Sequence, residues 1–254
     1  MGAGHSHALY VHEHSFIHRL PPEAKVVAAV GLVVSSAVTP REAIWAFAAY
    51  GVILGLLVAI SRVPLRFLAV RLLALTPFVM FALLIPVIAS GQTVTIGGVE
   101  LSIEGLWGAW NILIKALIGG TVSILLAATT EIPEIIRGLG VLRVPALFVS
   151  IATFMIRYLE LVASELGRMR LAMTARGYDP RWITQTRPIA AAAGSLFIRS
   201  YERGERVHAA MVARGFTGLM PSLGRRTATG ADWAGVGALI MVWVVIATLA
   251  LSLS

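Results

Sequence analysis

The chain has 254 residues, 57% of them apolar, and a mean hydropathy of +0.83. Only 13% are charged, about half the share of a soluble domain, which excludes a soluble core and indicates an integral membrane protein. With no cysteine, disulfides, zinc–thiolate sites and cysteine nucleophiles are excluded. The net charge of +8 is concentrated, because 14 of the 21 Lys and Arg residues fall between Arg137 and Arg226 and all 14 are Arg.

Residues 1–22 are polar and His-rich, carrying His5, His7, His12, His14 and His18, and lack the apolar region of a cleavable signal. Pro21-Pro22-Glu23 opens a helix, since Pro is tolerated in the first turn. Residues 25–38 are apolar but short for a span, and cross only in a thin region or packed on neighbours. Residues 43–60 form the second span, whose Gly51 and Gly55 make a G-x-x-x-G pattern common in membrane helices by chance. Arg62, Arg66 and Arg71 flank a cytoplasmic loop. The third span, residues 67–89, contains Pro77 and Pro86, and each is expected to kink it. Residues 90–104 lack Lys and Arg and alternate Val94, Ile96, Val99 and Leu101, the pattern of a hairpin or an irregular extracytoplasmic loop. The fourth span, residues 106–128, has Trp107 and Trp110 near an interface. It also carries Lys115, read as facing a protein interface.

Beyond it, Ile132, Ile135, Ile136 and Leu139 share one face of a short amphipathic helix suited to the interface plane. A long helix runs from Pro145 to about Arg176, apolar at first and charged later. A second begins near Pro188 and ends at Arg214, with the same polarity along its length. Residues 233–251 are the last span. The fold class is therefore an all-α integral membrane protein with about five transmembrane helices and a cytoplasmic region of long helices. The expected organisation is a polar tail at 1–22, four spans within 23–130, the cytoplasmic helices at 131–218, and a loop with the last span at 219–254. Placing the Arg-rich block inside the cell puts the N-terminus inside and the C-terminus outside, and the loop with Arg62 and Arg66 also falls inside.

The two long helices carry an internal repeat. Met173-Thr174-Ala175-Arg176-Gly177-Tyr178 recurs 38 residues on as Met211-Val212-Ala213-Arg214-Gly215-Phe216, and Arg168 and Ala172 match Arg206 and Ala210. Each copy ends at Ala-Arg-Gly. Gly suits the left-handed position that closes a helix, and a cation in the last turn complements the helix dipole. A single copy is ordinary capping. Two copies on similar helices suggest two equivalent tips for two equivalent receptors. An Arg fork pairs with a carboxylate, and Met173, Tyr178, Met211 and Phe216 offer adaptable or aromatic contact surface beside it.

These residues resemble a known family. Phe154-Met155-Ile156-Arg157-Tyr158 leading to Ala175-Arg176-Gly177, the run from Gly194 to Arg203 leading to Ala213-Arg214-Gly215, and the start at His18-Arg19-Leu20-Pro21-Pro22-Glu23-Ala24-Lys25 are similar to the transmembrane T component of energy-coupling factor (ECF) transporters, cobalt-type CbiQ family. The resemblance runs from about His14 to Gly218. It implies a multi-pass protein of the bacterial inner membrane whose two long helices are coupling helices crossing in an X. Arg176 and Arg214, with Ala175, Gly177, Ala213 and Gly215, would enter grooves on two ATP-binding-cassette subunits (CbiO-like). Further partners would be a membrane substrate-binding subunit (CbiM-like), a small accessory subunit (CbiN-like) and the lipid bilayer. The chain would bind no cofactor; ATP would sit on the partners and Co²⁺, or Ni²⁺, would be the cargo.

Nucleotide binding through a Walker A loop is absent from the sequence, since neither Lys25 nor Lys115 ends one, and there is no H-E-x-x-H. The five tail histidines are weak candidates for holding Co²⁺ or Ni²⁺, as an exit-side site or as an incidental polar tail. Three alternatives remain: a T subunit for nickel or a vitamin; an intramembrane hydrolase, which lacks a clustered acid, base or nucleophile; and an anchor whose Arg-rich region binds lipid or nucleic acid. Glu160, Glu165, Glu202 and Glu205, interleaved with the arginines, argue against a plain polybasic surface and hence against nucleic acid.

Overall fold

The computed structural model describes residues 10–11, 15–89, 92–96, 99–178, 186–218 and 227–253. Their elements in chain order are α1 (Phe16–Arg19), α2 (Pro22–Val38), α3 (Ile44–Ser61), α4 (Leu65–Leu72), a 3₁₀ turn (Leu73–Leu75), α5 (Thr76–Ile88), β1 (Thr93–Ile96), β2 (Val99–Ser102), α6 (Ile103–Thr129), α7 (Ile132–Val141), α8 (Ala146–Ala175), α9 (Arg187–Ala213) and α10 (Gly230–Ser252). The chain divides into two units, residues 139–225 in one and residues 9–138 with 226–254 in the other.

In the second of these units the core forms where α2, α3, α6 and α10 meet. Phe47, Tyr50 and Leu54 recur at helical spacing on α3, and Ile118 and Val122 do so on α6. They close on Leu32 of α2 and Trp243 of α10. The Tyr50 and Trp243 rings stack 4.4 Å apart at 7°. Stacking of this kind adds about 0.5–1.5 kcal/mol beyond area burial. The Tyr50 hydroxyl also reaches Trp243 O at 3.3 Å and Thr39 Oγ1 at 2.9 Å, so its polar end is satisfied at membrane depth. Large apolar side chains on the outer faces, such as Val52, Leu56, Phe81, Leu83 and Met241, are exposed, as lipid-facing surface should be.

A polar knot closes one end of this helix bundle. Lys25, in the first turn of α2, is buried and donates to Thr129 O at 2.8 Å, Thr130 Oγ1 at 3.2 Å and His18 O at 3.2 Å. The Val11 amide donates to Ala128 O. These contacts satisfy carbonyls that the end of α6 leaves without intrahelical partners, and the ammonium complements the negative end of its dipole. Glu23 accepts from the Ala228 amide at 2.7 Å, holding the chain that leads into α10. Gly138 of α7 lies so close to α2 that a Cβ there would be 2.9 Å from Glu23 N. The amphipathic α7 thus also packs on protein, through its glycine.

The third span is not one continuous α-helix. The 3₁₀ turn interrupts it, and Pro77 sits in the first turn of α5, where its missing N–H costs nothing. Pro86 lies inside α5, buried, at the point where Gly105 of α6 approaches; a Cβ on Gly105 would be 2.6 Å from Pro86 Cα. The alternating segment is a hairpin. β1 and β2 pair antiparallel, with Ile96 opposite Val99 and Thr93 opposite Ser102. On the same side of the chain, Arg41 pairs with Glu42 at 2.8 Å and Glu104 at 3.4 Å, and its hydrogen bond holds the Glu42 carboxyl below the usual range. Lys115 donates to Ala37 O at 2.8 Å, at the end of α2. Gly51 and Gly55 have no neighbour within 4 Å of where a Cβ would stand.

Five described helices are long and apolar enough to cross a membrane: Ile44–Ser61, Leu65–Ile88, Ile103–Thr129, Ala146–Ala175 and Gly230–Ser252. The molecule is accordingly an all-α membrane protein. Membership differs from the sequence expectation. α2 has 17 residues and is supported by packing on α6 and α10. α8 qualifies by composition because its apolar character continues through Leu159, Leu161 and Val162, past Ile156.

Candidate functional site: two arginine-tipped helix ends

α8 and α9 make up most of the described part of the other unit. Their 30 and 27 residues give lengths of about 45 and 40 Å at 1.5 Å per residue. Pro145 precedes α8 and Pro188 sits in the first turn of α9, so both start where proline is tolerated.

The two C-terminal ends have the same geometry. Gly177 has φ +80° and Gly215 φ +81°, the left-handed region that a residue with a Cβ adopts at a cost of about 1–2 kcal/mol. The Gly177 amide donates to Thr174 O at 2.9 Å and the Tyr178 amide to Met173 O at 3.1 Å. At the other end Gly215 donates to Val212 O at 2.9 Å and Phe216 to Met211 O at 3.0 Å. This is the Schellman closure, formed twice. Exposure repeats position by position. Met173 and Met211 are half-buried, as are Tyr178 and Phe216, whereas Ala175, Arg176 and Gly177 are exposed, as are Ala213, Arg214 and Gly215. Each closure tucks its apolar pair inward and leaves a guanidinium, flanked by residues no larger than Ala, at the tip. A planar donor fork in that position suits a carboxylate-lined groove.

The structure also pairs charges that the sequence shows only as interleaved acids and arginines. Glu165 of α8 is 9% exposed. Its Oε1 accepts from Arg199 at 3.2 Å and its Oε2 from Arg203 at 3.3 Å, both on α9. Beside them Phe154, Tyr158, Leu161, Val207 and Met211 line a cavity of about 340 Å³ between the two helices. The sequence did carry a signal for this contact: Glu165 and Arg203 are 38 residues apart, the offset of the repeat, with opposite charge at matching positions.

Of the five tail histidines, His5, His7, His12 and His14 lie outside the described residues. His18 has Nδ1 2.7 Å from Ser15 Oγ and Nε2 3.1 Å from Val11 O, so both ring nitrogens are engaged. Among the described residues, no three His, Asp or Glu side chains gather as a metal site would need.

Comparison with known proteins places this architecture. The family model described as "CbiQ: Cobalt transport protein" matches residues 13–223. The cobalt transport protein CbiQ of Rhodobacter capsulatus is 30% identical over 171 residues, 66% of this chain and 67% of that protein. The nickel permease LarQ of Lactiplantibacillus plantarum is 31% identical over 121 residues, 46% of this chain and 42% of the permease. The energy-coupling factor transporter transmembrane protein EcfT of Thermotoga maritima is 23% identical over 222 residues, 84% of this chain and 81% of that protein. The matched region takes in both arginine-tipped ends and the membrane helices up to α9, and on that ground the chain belongs to the CbiQ family of transmembrane components of energy-coupling factor transporters.

Proposed function

We propose that this chain is the non-catalytic coupling subunit of an ATP-driven cobalt importer. Arg176 and Arg214 enter acidic grooves on two ATP-binding-cassette subunits, the CbiO-like partners that hold and hydrolyse ATP. α8 and α9 act as coupling helices crossing in an X. Closure of the ATPase pair swings them, and the motion passes to a CbiM-like substrate-binding membrane subunit, with a CbiN-like accessory subunit beside it, so that metal is released inward. The coupling helices and the N-terminus lie on the cytoplasmic side.

The observation that carries this reading is the duplicated helix end: two Schellman closures with the same hydrogen bonds, the same burial pattern and one exposed arginine each. A capping device needs no twin, whereas two identical prongs suit two identical receptors. Nickel is the second reading of the cargo, favoured by the identity to a nickel permease.

The test is Arg176→Glu and Arg214→Glu in the membrane-embedded complex. Truncating one partner of a desolvated Arg–carboxylate pair costs about 2–5 kcal/mol, so each variant is expected to lose ATPase subunits on affinity purification and to abolish uptake while inserting normally. Retention of the ATPases and normal uptake by both variants would overturn the coupling role. Uptake of cobalt against nickel by the intact complex decides the cargo. An anchor for anionic lipid or nucleic acid would instead show salt-sensitive capture independent of any ATPase.

A further inference from the structure

The coupling reading accounts for the tips of α8 and α9 but not for what holds them in relation to each other. The apolar side chains between them, among them Phe154, Tyr158, Leu161, Val207 and Met211, are only half-buried. Glu165 is the one buried residue among the thirty of α8, and α9 has none. The two helices therefore meet around a carboxylate shared by two guanidiniums, with one oxygen for each.

The place of this contact follows the repeat. Glu165 and Arg203 occupy equivalent positions, 38 apart. A residue that touches its own equivalent marks a local two-fold relation between two copies. A second pairing agrees: the same offset takes Glu165–Arg199 to Arg203–Leu161, and Leu161 and Arg203 line one cavity. From Glu165 to Arg176, and from Arg203 to Arg214, is 11 residues in each case, about 16 Å of helix at 1.5 Å per residue. The contact is equidistant from the two tips.

We propose that Glu165, shared between Arg199 and Arg203, is the pivot of the two arms, a positioning residue that fixes the separation of Arg176 and Arg214. This rests on the coupling reading for its purpose but not for its measurement. An apolar contact would tolerate many angles, whereas a carboxylate bridging two forks is directional. Without it the arms share no buried side chain, and their tips no longer present one spacing to a pair of receptors.

The absence of cysteine makes the test direct. Thr174 and Val212 are repeat-equivalent and exposed, so Thr174→Cys with Val212→Cys gives one spin label per arm on the full chain in nanodiscs. The parent should give a narrow distance distribution by pulsed electron resonance. Glu165→Ala should at least double its width, and Glu165→Gln, which keeps the shape and removes the charge, carries the test if the alanine variant is not monodisperse. The exchange Glu165→Arg with Arg203→Glu should restore the narrow distribution, because a carboxylate at 203 lies one helical turn from Arg199 and faces the new guanidinium. A side chain that merely filled space would not be rescued by exchange. In the assembled importer, Glu165→Ala should cut uptake at least fivefold, and the exchange should recover most of it. An unchanged distribution in the uncharged variants, or an exchange no narrower than Glu165→Ala, would overturn the pivot. Neither outcome depends on an ATPase, so failure of the pivot and failure of the coupling role are separate results.

Discussion

At the scale of single residues, glycine does two different jobs in this protein. At Gly177 and Gly215 it supplies a left-handed backbone in open space, since nothing lies within 4 Å of a built Cβ. Gly177→Ala should therefore cost only the backbone term, about 1–2 kcal/mol. It should appear as faster hydrogen exchange at the Tyr178 amide and weaker ATPase capture, with Gly177→Asn milder. Gly105 has ordinary φ and is needed for space. A Cβ at 2.6 Å from Pro86 Cα meets backbone that cannot turn aside. Gly105→Ala should push α5 from α6 and lower the melting temperature in detergent, at a cost of about 1–3 kcal/mol. The first substitution would test the site, the second the bundle.

At the scale of elements, the ends of α2 and α6 explain why the two lysines of the chain are where they are. Lys25 donates to three acceptors in a buried setting, whereas Lys115, half-buried, donates to one carbonyl. Removing a buried donor leaves its partners unsatisfied at about 1–3 kcal/mol, against about 1 kcal/mol for an ordinary bond. Lys25→Met should thus lower the melting temperature in detergent clearly more than Lys115→Met. Equal shifts would show that the knot around Lys25 is not what closes that end of the bundle. The same comparison explains the short α2. A 17-residue helix is marginal as an isolated span, but its first turn is buried in protein and its length is packed on α6 and α10.

At the scale of the whole molecule, two prongs that each reach 11 residues beyond the Glu165–Arg203 contact should act as a bivalent ligand. Arg176→Glu and Arg214→Glu should weaken ATPase capture to similar extents, and the double variant should lose more than either, because the second contact forms at high effective concentration once the first is made. A large asymmetry between the single variants, measured as retained ATPase per chain, would mean that the two ends are not functional equals despite their matching closures.

Much of this was readable along the chain. The membrane class followed from composition, because apolar residues at this density have no soluble use. The helix ends at 176 and 214 followed from Arg-Gly after an apolar-to-charged helix, because left-handed closure is a local property of glycine. The alternation of Val94, Ile96, Val99 and Leu101 left a hairpin and an irregular loop both open, and only the pairing of β1 with β2 decided between them. Other features were not local and were not readable. The 3₁₀ turn ahead of Pro77 appears where the sequence suggested a kink, and the close approach of Gly105 to Pro86 depends on a partner helix that no window contains. In the sequence Glu165 is one charge among many; only packing of α8 on α9 puts both of its oxygens on arginines and buries most of its surface. By itself, then, the sequence determined the membrane class, the helix polarity and the twin tips, all of which rest on local backbone preference and hydrophobic patterning. The tertiary structure decided which charges are paired and where helices touch, because desolvation and ion pairing depend on neighbours far away in the chain.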